Sequence, residues 1–244
     1  MEILRFANVS YNYHTPEAET PAVENLNLCV EKGNFVSIIG PSGCGKSTIL
    51  SLAAGLLQPS RGEVSFFGKN RGYMLQRDEL FPWRTIEKNL LLPLEIARCV
   101  TPERKEFVRG LAEKYGLGEF LERYPEHLSG GMRQRAALIR TLAADPELLL
   151  LDEPFSALDY QTRLAVSEDV GEILRKEGKT ALLVTHDVSE AIALSDCVIV
   201  LSRRPATCVA VHESDFPRDM SPSERRRSPL FGEWFETLRK ELHL

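Results

Sequence analysis

Apolar positions along the chain recur with two periods. Four short, nearly continuous runs stand out: Phe35-Val36-Ser37-Ile38-Ile39, Leu148-Leu149-Leu150-Leu151, Thr180 to Thr185 and Cys197 to Leu201. Runs of this kind predict strands covered on both faces. Ala22 to Val30 alternates apolar and polar residues, with Val23, Leu26, Leu28 and Val30 apolar, as a half-buried strand does. Residues 3–9, Glu63 to Phe67 and Gly72 to Leu75 read as further strands. The second period is helical. Ile49, Leu50, Leu52, Ala53, Leu56 and Leu57 follow it, and so does most of the stretch from Ile86 to about Ala144. Within that stretch Thr101-Pro102 has the residues of an N-cap and first helical position, Gly116 and Gly118 are terminators, and Ser129 caps the last helix. A helix runs from Ser156–Asp159 to about Lys176, and another follows Asp187 and Ser189. Phe231, Trp234, Phe235, Leu238 and Leu242 predict a final helix packed on the core. Residues 15–21 read as a loop. Residues 203–229, rich in Pro and Arg, read as irregular, with Arg225-Arg226-Arg227 a solvated charge run.

Strands alternating with helices predict an α/β domain. Its core comprises residues 1–85 and 145–202, a helical subdomain is inserted at 86–144, and residues 203–244 form a C-terminal tail. The length of 244 residues suits one large domain of this kind. Apolar content of 43% and charged content of 27% are those of a soluble protein, and no apolar run reaches the ~18 residues that span a bilayer. A net charge of −5 argues against a nucleic-acid surface. The five cysteines form no C-x-x-C pair, so neither disulfides nor zinc are expected, and a reducing cytoplasm fits.

The chemistry concentrates at the ends of the predicted strands. Gly40-Pro41-Ser42-Gly43-Cys44-Gly45-Lys46-Ser47-Thr48 matches G-x-x-x-x-G-K-S between a strand and a helix. Its glycines let the backbone curl around an anion, and the helix beginning near Lys46 adds its positive end. Lys46 can reach β- and γ-phosphates, and the Ser47 hydroxyl suits Mg²⁺. Gln76 closes a short strand, which makes it a candidate ligand of Mg²⁺ or water at the sheet edge where α/β ligands sit. Adjacent Asp152 and Glu153 close the Leu148 strand. Asp152 suits the Mg²⁺ shell and Glu153 a base that takes a proton from attacking water. His186 closes the Thr180 strand at the same edge. Gly130-Gly131 after the Ser129 cap leaves a helix N-terminus open to an anion. One of Tyr11 and Tyr13 is a candidate for stacking on a nucleotide base. Leu80, Phe81 and Trp83, among the charges of residues 77–85, have the composition of a partner surface.

Together these residues resemble the ATP-binding subunits of ABC transporters over residues 3–202. The matching motifs are the Walker A stretch Gly40–Thr48, the Gln76 loop and the signature Leu128-Ser129-Gly130-Gly131-Met132-Arg133-Gln134. The Walker B stretch Leu148–Glu153, the Ser156–Asp159 loop and the switch residue His186 complete the set. The resemblance implies a RecA-like P-loop NTPase core with an antiparallel β subdomain and an inserted α-helical subdomain. It implies ATP and Mg²⁺ as ligands, with Tyr13 as the adenine-stacking aromatic and Asp159 and Ser129-Gly130-Gly131 completing the ATP site. It also implies a head-to-tail pair of ATPase subunits, in which each signature covers the other's Walker A. Two membrane permease subunits would dock near Leu80, Phe81 and Trp83, with an extracytoplasmic solute-binding protein beyond, which puts the chain at the cytoplasmic face of the cell membrane. The stretch Leu80–Leu90 and the short tail are most similar to the nitrate, sulfonate and taurine import group, whose relatives also carry vitamin precursors. The rival classes are a soluble ABC ATPase acting on nucleic acid or ribosomes and a non-hydrolysing ATP switch. Coiled-coil insertions, zinc cysteines or a second cassette would mark the first, and Glu153 with His186 argues against the second.

Overall fold

A computed structural model describes residues 1–14, 18–156 and 158–242. Thr15 to Glu17 of the expected loop and Ala157 of the Ser156–Asp159 stretch lie outside the described residues. The described residues form two sheets. The smaller is antiparallel, with β1 (Glu2–His14) between β2 (Glu19–Glu31) and β4 (Arg61–Phe66). The larger has the order β5-β6-β7-β3-β8-β9, built from β3 (Phe35–Ile39), β5 (Arg71–Met74), β6 (Leu148–Asp152), β7 (Thr180–Thr185), β8 (Cys197–Leu201) and β9 (Cys208–Glu213). All its pairings are parallel except β8 with β9.

The continuous apolar runs are explained by cover on both faces. In β6, Leu149 and Leu151 join one core with Ala181 and Leu183 of β7, while Leu148 and Leu150 join another with Leu182 and Val184. The first core lies under the helical subdomain. It receives α2 (Ile86–Leu90), α3 (Leu92–Ile96), α4 (Pro102–Lys114), α5 (Gly130–Ala143) and α6 (Tyr160–Lys176). The second lies between the larger sheet, the antiparallel sheet and α1 (Lys46–Ala54). The imperfect alternation of the Ala22–Val30 stretch has a local cause. Asn25 adopts φ 46° and the β1–β2 register shifts there, so Val23 and Leu26 both face the core.

The tail is more ordered than the sequence predicts. Residues 203–229 contain β9 and α8 (Pro222–Arg227) rather than irregular chain. In β9 the exposed positions are occupied by Val209 and Val211, which hides the usual polar-out pattern. Ser221-Pro222-Ser223-Glu224 forms a capping box: the Ser221 side chain accepts from the Glu224 N–H and the Glu224 carboxylate accepts from the Ser221 N–H. The arginine run is not a solvated patch either. Arg225 is fully buried and donates to the Ser195 carbonyl at 2.7 Å, with Asp196 at 3.6 Å and the Phe216 ring 5.4 Å away. Burial and the neighbouring Arg175 push its guanidinium down to about 10. A helix turns successive residues through ~100°, so Arg226 is half-buried against Ser167 and Arg227 is exposed. The last helix, α9 (Pro229–Glu241), packs as expected, with Leu238 and Leu242 against α7 (Val188–Leu194) and β8. No helix among the described residues is long and apolar enough to cross a membrane.

Candidate functional site

Parallel neighbours β5, β6, β7 and β3 deliver their carboxyl ends to one edge of the larger sheet. The loop after β3 begins at Gly40 and α1 starts at Lys46. Lys46 is buried, and its Nζ donates to the Gly40 carbonyl at 2.8 Å and the Pro41 carbonyl at 3.1 Å. The ammonium is thereby held by its own loop. Gly45 has φ 128°, and a Cβ there would lie 2.7 Å from the Ala22 carbonyl oxygen, so no side chain fits. Cys44 contributes main chain only: its N–H donates to Pro41 at 3.2 Å, and its thiol is pushed up by burial in the core.

The Ser47 hydroxyl donates to Asp152 Oδ1 at 3.1 Å, and the Tyr73 hydroxyl donates to Oδ2 at 3.4 Å. Burial pushes the Asp152 carboxyl up, Glu153 adds to this, and the Ser47 bond opposes it. Tyr73 is pushed up to about 12 by burial and by Asp152. The buried Asp152 carboxylate beside the Ser47 hydroxyl, with the Gln76 side-chain oxygen following the neighbouring strand β5, offers oxygen donors of the kind Mg²⁺ accepts.

Glu153 turns sharply after β6. Its φ is 44°, a conformation costing on the order of 1–3 kcal/mol for a residue with a side chain. Its N–H is held by the Val184 carbonyl at 2.8 Å. The turned carboxylate accepts at Oε2 from Gln76 Nε2 at 3.3 Å, and His186 Nδ1 lies 3.2 Å from the same oxygen. Gln76 also reaches the Ser156 hydroxyl at 3.3 Å. Three strand ends therefore converge on one oxygen. Beside it opens a cavity of about 250 Å³, lined by Glu153 with Ser42, Gly43, Gly45, Lys46, Ser47 and Thr48, and by Tyr13, Ala22 and Arg204. Tyr13 is 41% exposed; its hydroxyl shares a 3.0 Å hydrogen bond with Thr48 Oγ1, and the Tyr11 ring meets it edge-on at 5.0 Å. Tyr11 instead packs against the second core.

Ser129, Gly130, Gly131 and Asp159 do not line this cavity. Ser129 accepts from the Met132 N–H at 3.3 Å as an N-cap, and Asp159 accepts from the Thr162 N–H at 3.1 Å at the start of α6. Gly131 has a packing role beyond any exposed N–H: an added Cβ would meet Thr162 Cγ2 at 2.7 Å and Val166 Cγ2 at 3.3 Å. The glycine sets how closely α5 approaches α6. Arg163, which sequence reasoning missed, donates to the Leu158 carbonyl at 3.1 Å and to Asp187 Oδ2 at 3.5 Å, joining the Asp159 loop to the segment behind His186.

The loop after Gln76 is fixed from below. Arg140 of α5 donates to the Asp78 and Glu79 carbonyls at 2.6 and 2.7 Å, and Arg133 pairs with Asp78 at 3.1 Å. Asn89 is fully buried and bonds Phe81 in both directions, at 2.7 and 3.1 Å. Leu80, expected with Phe81 and Trp83 at a partner surface, is instead buried in the first core, since the loop folds its side chain inward. Phe81 and Trp83 are left exposed, at 36% and 72%, their rings stacked 5.0 Å apart.

The ABC transporter family profile matches residues 23–156. The chain belongs to the ABC transporter family. Over its whole length this ABC ATPase is 47% identical to YtlC, an ABC transporter ATP-binding protein of Bacillus subtilis strain 168, covering 96% of it. It is 38% identical to an aliphatic sulfonates import ATP-binding protein, SsuB, of Bacillus cereus, with 96% of this chain and 92% of SsuB aligned. It is 41% identical to the nitrate import ATP-binding protein NrtC of Synechococcus elongatus, with 91% of this chain aligned to 34% of NrtC. Among solved structures, the dimeric ABC transporter cassette MJ0796 superposes with a TM-score of 0.76 at 29% identity, covering 88% of this chain and all of the cassette. The same cassette bound to ADP and Pi superposes with a TM-score of 0.73. The chain is an ATP-binding, ATP-hydrolysing cassette with import-type relatives.

Proposed function

We propose that this ABC ATPase powers uptake of a small oxyanion, of the nitrate, sulfonate or taurine class, by hydrolysing ATP beneath a membrane permease. The observation that carries the catalytic reading is the Glu153 carboxylate, held between Gln76 and His186 at the Lys46–Ser47 end of the cavity. The triphosphate lies in the Gly40–Thr48 loop, with Lys46 against its terminal phosphates. Mg²⁺, where bound, neutralises charge on the phosphates; Ser47, Asp152 and Gln76 would hold it. Glu153 accepts a proton from water as its oxygen bonds to the γ-phosphorus and the bond to the β–γ bridging oxygen breaks. His186 keeps the Glu153 carboxylate aimed through the bond at Oε2. Tyr13 stacks on the base. Two copies face head to tail, each supplying Ser129-Gly130-Gly131 and Asp159 to the other's nucleotide, since neither group reaches the cavity of its own chain. Phe81 and Trp83 face a cytoplasmic helix of the permease, so the chain works at the cytoplasmic face of the membrane.

Glu153→Gln tests this. The variant keeps ATP affinity, loses about 10²–10⁴ in turnover, and accumulates an ATP-bound dimer seen by light scattering. Normal hydrolysis in the variant would place the base elsewhere. Affinity purification from detergent-solubilised membranes, with identification of the permease and binding protein, tests the solute class.

A further inference from the structure

The β8–β9 loop, Ser202 to Thr207, is built into the wall of the nucleotide cavity. The Ala206 N–H donates to the Ala22 carbonyl at 2.9 Å, and the Glu24 N–H donates to the Ala206 carbonyl at 3.0 Å. Ala206 is fully buried, and its Cβ would lie 3.3 Å from a Cβ on Gly45. The loop is also closed on itself. The Ser202 hydroxyl accepts from the Thr207 N–H at 2.9 Å and donates to the Pro205 carbonyl at 3.1 Å. Side-chain and main-chain bonds of this density leave few alternatives for the residue at the loop tip.

That residue is Arg204, which lines the cavity. Its Nε donates to the Pro21 carbonyl at 2.9 Å, fixing one edge of the guanidinium and spending one of its five donors. Pro21 pairs with Asn12 across the β1–β2 ladder, one position from Tyr13. Arg204, reaching from the β8–β9 loop to the antiparallel sheet, and Tyr13 of that sheet therefore line the same side of the cavity, whereas Lys46, Ser47 and Glu153 follow β3 and β6 at the carboxyl edge of the larger sheet. A planar cation and an aromatic ring lining one cavity are a combination suited to a purine and its ribose: a guanidinium can lie against a π-face and donate to ring or sugar oxygen and nitrogen atoms.

We propose that Arg204 is a nucleotide-contact residue for the base and ribose of ATP, an inference resting on the reading of this cavity as the ATP site. The phosphates are served by Lys46 and the loop; Arg204 serves the other end.

Isothermal titration of the full chain with ATP and with inorganic tripolyphosphate separates the ends. Wild-type protein binds both, and Lys46→Ala weakens both; failure of these controls would count against the site itself and not against Arg204. Arg204→Ala is expected to raise the Kd for ATP by about fivefold while leaving tripolyphosphate affinity and melting temperature unchanged. Arg204→Lys does not restore ATP affinity, because a point charge lacks the planar fork. Unchanged ATP affinity in Arg204→Ala would overturn the proposal. So would an equal loss for both ligands, which marks a phosphate contact or a loosened loop, or full restoration by lysine, which marks charge alone.

Discussion

Glu190 gives a prediction whose sign and size follow from its surroundings. It lies on α7, 5% exposed, and accepts from the Thr185 hydroxyl at 2.7 Å. Thr185 Oγ1 in turn accepts from the Asp187 N–H at 3.0 Å, beside His186. Burial pushes the Glu190 carboxyl from its ordinary 4.5 up to about 7; Asp187 adds to the rise, while the Thr185 bond, Arg163 and His186 oppose it. A folded carboxyl with a raised value holds a proton that the unfolded chain releases. Its contribution to stability is complete below pH 4.5 and is lost as pH rises through about 7. At ~1.36 kcal/mol per pH unit that gap is worth about 3 kcal/mol at pH 8. Glu190→Gln keeps an acceptor oxygen for Thr185 and stays neutral at every pH. The variant should melt with wild type near the lower end of the window and above it at pH 8. For a chain of this size the ceiling is about 6–12 °C. Scanning fluorimetry or calorimetry across the window, at constant ionic strength, reads the difference. A difference in melting temperature that does not change with pH, or a variant less stable at pH 8, would refute the reasoning.

Three further outcomes are expected. Gly131→Ala forces α5 away from Thr162 and Val166 and should cost about 1–3 kcal/mol, read as a lower melting temperature, whereas Gly130→Ala, whose Cβ would sit 3.4 Å from Leu158, should not. Phe81→Ala with Trp83→Ala should leave isolated ATPase activity and melting temperature unchanged while abolishing co-purification with the permease and solute uptake; retained uptake and permease binding would remove the support for that surface. A mixture of Lys46→Ala and Ser129→Ala subunits, each inactive alone, should recover partial ATPase activity in heterodimers carrying one intact composite site; verified heterodimers without activity would count against sharing of the signature.

Most of the site was legible because its residues are tied to sheet ends. A buried strand is a continuous apolar run, and the polar residue that stops it must lie at the edge; Gln76, Glu153 and His186 could be placed together on that ground alone, and Asp152 beside Glu153. Legibility failed where the decisive partner is remote in sequence. Arg225 is read as solvated because it sits among charges, yet the Ser195 carbonyl and Asp196 that hold it are about 30 residues upstream. Arg204 lies in a stretch without helical or strand periodicity, and its value comes from Pro21, 183 residues away. Leu80 reads as part of an exposed aromatic loop, but the buried Asn89 folds that loop so that Leu80 points inward and its neighbours outward. Gly131 was legible as a glycine near a helix start, while the α6 methyl groups that require it were not.

Arg133, read from the sequence only as part of the signature stretch, and Arg140 and Arg163, which sequence reasoning passed over, share one feature: each ends on a main-chain carbonyl. Arg140 ends on the carbonyls of Asp78 and Glu79, Arg133 on the carbonyl of Leu128 as well as on Asp78, and Arg163 on the carbonyl of Leu158. A carbonyl acceptor belongs to the main chain, so such a bond constrains the segment itself rather than one rotamer of a side chain. Arg133 and Arg140 lie on α5, whose N-terminus carries Ser129-Gly130-Gly131; they tie that helix to the loop that begins at Gln76 and presents Phe81 and Trp83. Arg163 lies on α6, against which Gly131 packs, and ties the Asp159 loop to the segment behind His186. From the Glu153 carboxylate, Gln76 leads along the first tie and His186 along the second. On the proposed reading, with the γ-phosphate beside Glu153, these bonds give a movement of Gln76 or His186 a contiguous run of main-chain contacts toward the start of α5 and the Asp159 loop.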